Sequence, residues 1–154
     1  MGISPMIRIA VKKDMPAVLE IYRGLTDDPK DTITLEEAGN KFDKIQTYPD
    51  YQLFVAEYEN VIVGTFALLI MDNLAHRGEP SAIVEDVVVS RKMQGKGIGK
   101  SMMEYAMKLS SQKGCYKFVL SSHLKREQAH KFYESLGFLK HGFSFVVDLK
   151  SLKD

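Results

Sequence analysis

The order of sequence patterns predicts an α/β fold: one mixed, mostly antiparallel β-sheet flanked by helices. Three observations carry this. Runs with period two alternate along the chain with runs of helical period. Two β-rich runs meet at the two-residue junction Glu59-Asn60, as in an antiparallel hairpin. A strand-helix-strand pattern over residues 82–121 requires a right-handed parallel crossover in the same sheet. With 154 residues, 45% hydrophobic and 27% charged, disordered and collagen-like chains are excluded, and residues 1–154 are expected to form one domain.

Taken in order, Met6 to Val11 alternates apolar and polar residues as a short strand. Asp14 followed by Pro16 marks a helix start, because proline's missing N–H costs nothing in a first turn. Val18, Leu19, Tyr22 and Leu25 continue that helix at helical spacing, and Thr26-Asp27-Asp28-Pro29-Lys30-Asp31 breaks it. Thr34-Leu35-Glu36-Glu37 opens a second helix, to about Gln46, through a variant of the capping box. Residues 51–58 and 61–71 are the hairpin strands, and 72–81 form a polar loop. Residues 82–89 are β-branched enough for a central strand, yet Glu85 and Asp86 interrupt it where a purely buried strand would carry no acids. Ile98, Met102, Tyr105 and Leu109 place a helix over 97–113, closed by Gly114. A strand follows at 116–121, then a helix on Ala129, Phe132, Tyr133 and Leu136 that ends at Gly137. Residues 143–149 alternate as a final strand, whose edge suits a homodimer.

Net charge is +1, but residues 1–81 hold 8 Lys and Arg against 13 Asp and Glu, while 82–154 hold 13 against 7. An anionic partner is therefore expected for the C-terminal half, and the near-neutral total argues against nucleic acid. The longest apolar run, residues 66–71, is far below the roughly eighteen residues of a membrane span. The one cysteine, Cys115, can form no internal bridge, and Met1-Gly2-Ile3-Ser4-Pro5 has no apolar signal core, so a cytoplasmic location is expected. His76, His123, His130 and His141 lack the i, i+4 pairing or adjacent acid of a zinc site, so no metal is expected.

The chemistry concentrates in Gln94-Gly95-Lys96-Gly97-Ile98-Gly99-Lys100, between a strand and a helix, where free amides and the helix dipole can hold phosphate. Arg91, Lys92, Lys96 and Lys100 add positive charge. A Walker A loop ends in Gly-Lys-Ser as Gly99-Lys100-Ser101 does, but needs glycine where Gln94 stands. A dinucleotide fingerprint needs Gly-x-Gly-x-x-Gly and a later acid, and residues 117–121 contain none. A third pattern, Gln or Arg, two residues, Gly, one residue, Gly or Ala, is met in full by Gln94, Gly97 and Gly99.

On these residues the chain resembles the GNAT superfamily of acyl-CoA-dependent N-acyltransferases. Glu85-Asp86-Val87-Val88-Val89 with the glycine loop is similar to that family's cofactor strand and pyrophosphate loop, and residues 129–138 to its later helix motif, so the likeness covers nearly the whole chain. The resemblance implies acetyl-CoA as co-substrate. It puts Val87, Val88 and Val89 along the pantetheine arm, with the amides of Val87 and Val89 against arm and thioester. Gln94, Gly95, Lys96, Gly97, Ile98, Gly99 and Lys100 would surround the pyrophosphate, and Tyr133 would stand beside the sulfur as the acid that protonates the departing thiolate. Glu85 is the expected base, acting directly or through water, with Asp86 on the opposite face by strand alternation. Asp27, Asp28 and Asp31 would wall the acceptor site, and His123 would lie near it.

Many family members carry Asn where this chain has Arg126. Arg126-Glu127 before Ala129-His130 is similar to aminoalkylphosphonate acetyltransferases, whereas Glu85-Asp86 is similar to polyamine acetyltransferases. The expected activity is direct acetyl transfer to a primary amine of a small metabolite, polyamine-like, aminoalkyl or amino-acid-like. A protein or peptide acetyltransferase would need an open groove, and the retained Tyr133 argues against an inactive CoA-binding module. Cys115 follows Gly114 with no histidine nearby in sequence, so no acyl-enzyme is expected.

Overall fold

A tight turn organises the sheet. Glu59 and Asn60 both adopt left-handed backbone, with φ of 50° and 63°, as a two-residue hairpin loop needs if its twist is to match the strands. The computed structural model describes residues 2–26, 28 and 30–151. These divide into two compact units, Met1–Leu120 and Ser121–Asp154.

In the first unit, β1 (Met6–Ile9), β2 (Tyr51–Tyr58), β3 (Val61–Met71), β4 (Ser81–Val89) and β5 (Lys117–Val119) form one sheet in sequence order. The first three pairings are antiparallel and β4–β5 is parallel, with α3 (Ile98–Gln112) as the crossover the sequence predicts. The first helix, α1 (Met15–Tyr22), carries Pro16 in its first turn. The second, α2 (Leu35–Ile45), is capped by Thr34: the Glu37 amide donates to the Thr34 hydroxyl at 3.2 Å, and the Thr34 amide to the Glu37 carboxylate at 2.8 Å. That reciprocal pair completes the expected capping box.

Strand alternation sorts the apolar residues between two layers. Leu53, Val55 and Ala67 pack with Met15 and Val18 of α1 and Ala38 and Phe42 of α2. On the other face Phe54 and Phe66 stack with centroids 5.0 Å apart, and Tyr105 of α3 meets Phe54 edge-on at 5.7 Å. Ile98, Met102, Met103 and Ala106 bury the inner face of α3. Among the described residues no helix is long and apolar enough to cross a membrane.

The second unit contains α4 (Glu127–Ser135), as its spacing predicts. The strand expected at 143–149 is absent: residues 138–148 have no regular secondary structure, and Phe143, Phe145, Val146 and Val147 are 62–95% exposed. Alternation marks a segment as fit for a pleated surface, but a strand forms only against a hydrogen-bonding partner.

A charged knot ties the start of the chain to the sheet. Asp14, only 4% exposed, accepts a bidentate pair from Arg8 at 2.7 and 3.1 Å and the Val11 amide at 2.8 Å. Arg8 also donates to Glu57 on β2 at 2.9 Å. Burial alone would raise the Asp14 pKa, but the Arg8 and Val11 hydrogen bonds outweigh it and hold the carboxyl below its ordinary value. The Asp14 contribution is therefore fully present above the unfolded pKa of about 4 and is lost as pH falls through the depressed folded value. Asp14→Asn should cost about 1–3 kcal/mol in urea unfolding at neutral pH and flatten the acid limb of stability below about pH 4; an unchanged midpoint would mean the knot adds nothing.

Candidate active site

The acids of β4 occupy a register fault. Thr65 faces Val88 and Ala67 faces Glu85, so β4 spends three steps where β3 spends two, and Asp86 takes a φ of 51°. The extra residue makes a β-bulge and upsets the alternation. Glu85, directly opposite Ala67, lies on the face covered by α1 and α2. Asp86 also reaches that face, where it lines a cavity of about 440 Å3 with Tyr22, Tyr51 and Ala67. The expectation that Asp86 points to the opposite face is thus corrected: alternation holds only along an unbroken ladder.

The electrostatics agree with this placement. Partial desolvation raises the Glu85 pKa and the Asp86 charge adds to it, although Glu85 as a whole residue remains exposed. Burial raises the Tyr51 hydroxyl, followed by the charges of Asp86 and Glu85. Burial and then Asp86 likewise push Tyr22, on α1, well above the usual phenol range, against the opposing effect of a hydrogen bond shared with Thr65.

Further along, β4 becomes one-sided. It pairs with β5 only from Ser81 to Ile83, so among the described residues 84–89 have no ladder partner on that side. The Ser90 amide donates to Val63 on β3 at 2.9 Å. Successive residues face opposite edges, so Val88 also turns its polar groups to β3, while the amides of Val87 and Val89 face away. The Gln94 side chain donates to the Val89 carbonyl at 3.2 Å, satisfying the acceptor beside that open amide.

The glycine loop continues from there. Gly95 and Gly97 have φ of 75° and 85°, and Gly97 is the N-cap of α3 with no side-chain cap. The amides of Ile98, Gly99 and Lys100 thus have no intrahelical acceptor and stand at the positive end of the helix dipole, a geometry suited to a diphosphate. Lys96 is exposed beside them, and Lys100 leans toward Glu104 at 3.8 Å. The Ile3 amide donates to the Lys96 carbonyl at 2.9 Å, pinning the loop to the start of the chain; no local pattern announces that contact.

Tyr133 lies on α4 in the second unit, half-buried between Phe132 and Phe138, with centroids at 5.2 and 5.5 Å. Burial raises its hydroxyl pKa against the opposing charge of Arg126, so it carries its proton at neutral pH. His123 is exposed and locally engaged: its Nδ1 accepts the Lys125 amide at 3.2 Å, and its carbonyl lies 3.0 Å from His130 Nε2. Asp28 forms a turn, accepting the Lys30 amide at 2.9 Å, whereas Asp27 lies outside the described residues. Asp31 lines the cavity, as do Lys30 and Lys41, which the sequence reading did not single out. Cys115 is half-buried, and burial raises its thiol pKa, with the charges of Asp50 and Asp72 adding, the reverse of an activated nucleophile.

Comparison with known proteins bears on this arrangement. The acetyltransferase (GNAT) family model matches residues 15–138. A glucosamine 6-phosphate N-acetyltransferase of Trypanosoma brucei brucei is 31% identical over 144 residues, covering 93% of this chain and 95% of that protein. An aminoalkylphosphonate N-acetyltransferase of Salmonella typhimurium is 27% identical over 158 residues, covering 94% and 100%. The crystal structure of a Trypanosoma brucei acetyltransferase superposes with a TM-score of 0.81 at 30% identity, covering 94% of this chain and 99% of that one. A family match that runs from α1 through both motifs, over a sheet with this uncapped glycine loop, means that the chain belongs to the GNAT family and is an acetyl-CoA-dependent acetyltransferase.

Proposed function

We propose that the protein transfers the acetyl group of acetyl-CoA directly to the primary amine of a small metabolite. The observation that carries this is the composition of β4: within residues 85–89, two carboxylates lie on the face that bears the cavity, Asp86 lining it, and two amides face an open strand edge. Donor and acceptor can thus meet at one short stretch of backbone. A cavity of about 440 Å3 suits a small molecule better than a polypeptide, and relatives named for glucosamine 6-phosphate and aminoalkylphosphonate support the small-amine reading.

In this mechanism the pyrophosphate rests on the amides of Gly95, Gly97, Gly99 and Lys100, with Gln94 and Ile98 shaping the turn and Lys96 adding charge. Val87 and Val89 hold the pantetheine arm and polarise the thioester, with Val88 between them locked to β3. Glu85, directly or through water, takes one proton from the substrate ammonium; partial burial and the Asp86 charge raise its pKa, which makes it a stronger base than an ordinary carboxylate. The amine lone pair then attacks the thioester carbon, the carbonyl becomes an oxyanion, and its collapse breaks the C–S bond. The thiolate leaves with the proton of Tyr133. The nitrogen, cationic after the attack, gives its second proton to water, from which the Tyr133 phenolate is reprotonated. Asp28 and His123 remain candidates for the acceptor wall. No metal is required, and the reading is of a cytoplasmic enzyme with neither nucleic acid nor membrane as partner.

Gly99→Glu tests the donor site. An acid in the first turn suits the helix dipole, so the variant should fold, yet its charge sits where the pyrophosphate would bind. Calorimetry should show acetyl-CoA affinity falling by about a hundredfold or more; unchanged affinity would remove the loop from the site.

Tyr133→Phe tests the acid. Acetyl-CoA affinity and melting temperature should stay near wild type while turnover falls by about a hundredfold, the usual contribution of a positioned acid. Turnover within a few-fold of wild type would make Tyr133 a packing residue.

The proposal includes a homodimer. Phe143, Phe145 and Val147 alternate with their aromatic and aliphatic side chains in solvent, and β5 is the terminal strand of its sheet, so a second copy can supply the strand pairing that this segment lacks. Light scattering should give twice the 17.4 kDa chain mass, and Phe143→Lys with Phe145→Lys should halve it; a monomeric wild type would refute the pairing.

A further inference from the structure

The charged groups of the cavity under α1 and α2 come from two layers, the sheet on one side and the helices with their connection on the other. Its walls are apolar, with Met15, Val18 and Leu19 from α1, Phe42 and Ile45 from α2, and Leu53 from β2. On the sheet side stands Asp86, brought there by the bulge, with Glu85 on the same face. On the helix side stand Lys30, Asp31 and Lys41. Lys41 belongs to the same side of α2 as Ala38, Phe42 and Ile45, at spacings of three and four residues. Among the described residues neither Lys30 nor Lys41 has a carboxylate within 4.0 Å, whereas Lys12 is paired with Asp43 of the same helix. Among the described residues that line the cavity, Lys30 and Lys41 against Asp31 leave one net positive charge on the helix side, and Asp86, with Glu85 on the same face, leaves one or two negative ones on the sheet side.

All of these charged groups are exposed to solvent, so a ligand seated there gains by placing opposite charge beside each set and loses by placing like charge there. A simple monoamine would satisfy the acids and strand the lysines. A diamine would place a second cation against them. Only a molecule with an ammonium at one end and an oxyanion at the other meets both, and apolar walls between the poles strengthen each pairing. We propose that the acceptor is an amine bearing a separated oxyanion, a carboxylate or a phosphoryl group, with its ammonium at Glu85 and Asp86 and its anion at Lys30 and Lys41. This rests on the acetyl-transfer reading above and narrows its substrate class. It also sets Asp86 and Lys41 as specificity residues on opposite walls.

A matched acceptor panel tests it: propylamine with a neutral tail, trimethylenediamine with a cationic tail, and aminobutanoate and aminopropylphosphonate with anionic tails. Thiol release from acetyl-CoA gives kcat/KM for each. At least one anionic acceptor should exceed propylamine by about tenfold or more, with the diamine lowest; which of the two leads identifies the oxyanion. Lys41→Gln should bring anionic and neutral acceptors close to parity through KM, and Lys41→Glu should raise the diamine above the anionic ones. Circular dichroism confirms that both variants fold, as expected for a solvent-exposed helix position. Acetylation of all four amines without regard to tail charge, or an order that survives Lys41→Glu, overturns this proposal and leaves acetyl transfer standing. Absence of thiol release with every amine, although acetyl-CoA binds, overturns acetyl transfer and this proposal with it.

Discussion

Strand β4 is paired on both sides for three residues and on one side for the rest of its length. Most of what the molecule can do depends on that. A strand inside a sheet has its amides committed to neighbours; a strand released from one neighbour offers them to a ligand without any rearrangement. The release also sets the path of the chain, since the backbone that leaves β4 turns through the glycine loop into α3 and returns only at β5. Donor-side polarity therefore comes from main-chain groups whose positions the sheet fixes.

The bulge answers the opposite demand. Carboxylates inside a sheet are costly, and a regular strand would divide two consecutive ones between its faces. One extra residue at positions 85–88 lets both lie on the same face of the sheet, at the cost of a left-handed conformation at Asp86. Aspartate is among the few residues with a side chain that tolerate this conformation, so the bulge and the acid are supplied by the same position.

How much of this could be read from the chain alone varies with the range of the interaction. Thr34 with Glu37, Glu59 with Asn60, and the helical spacing of Ile98, Met102 and Tyr105 are short-range patterns, and each corresponds to the element it marks. The glycine loop was legible because its function needs glycines at fixed offsets. The bulge was hidden, since it shows only in the register against β3 and no glycine advertises it. Lys30 and Lys41 were hidden because a lysine in a turn or on a helix looks solvated until the fold puts a cavity beside it. Arg8, Asp14 and Glu57 come together only when β1 meets β2. At 143–149 the alternation led to a strand that the structure does not form, because alternation contains no information about who the partner is.

Gly64 on β3 shows how narrowly the placement of α3 is determined. A Cβ at that position would lie 2.8 Å from the Met102 sulfur and 3.2 Å from the Val88 carbonyl, so helix and sheet approach as closely as they do only because the side chain is missing. Met102 is one turn beyond the start of α3, and Val88 lies between the two outward amides of β4. For sequence drift this makes position 64 a gate. Alanine there requires the flexible Met102 side chain to swing aside and the Val88 carbonyl to give by a few tenths of an ångström, so the change is easier once position 102 is shorter, and the order of the two changes matters. Descendants that take them in the wrong order would shift the helix start relative to β4, while every residue of the glycine loop remained as before.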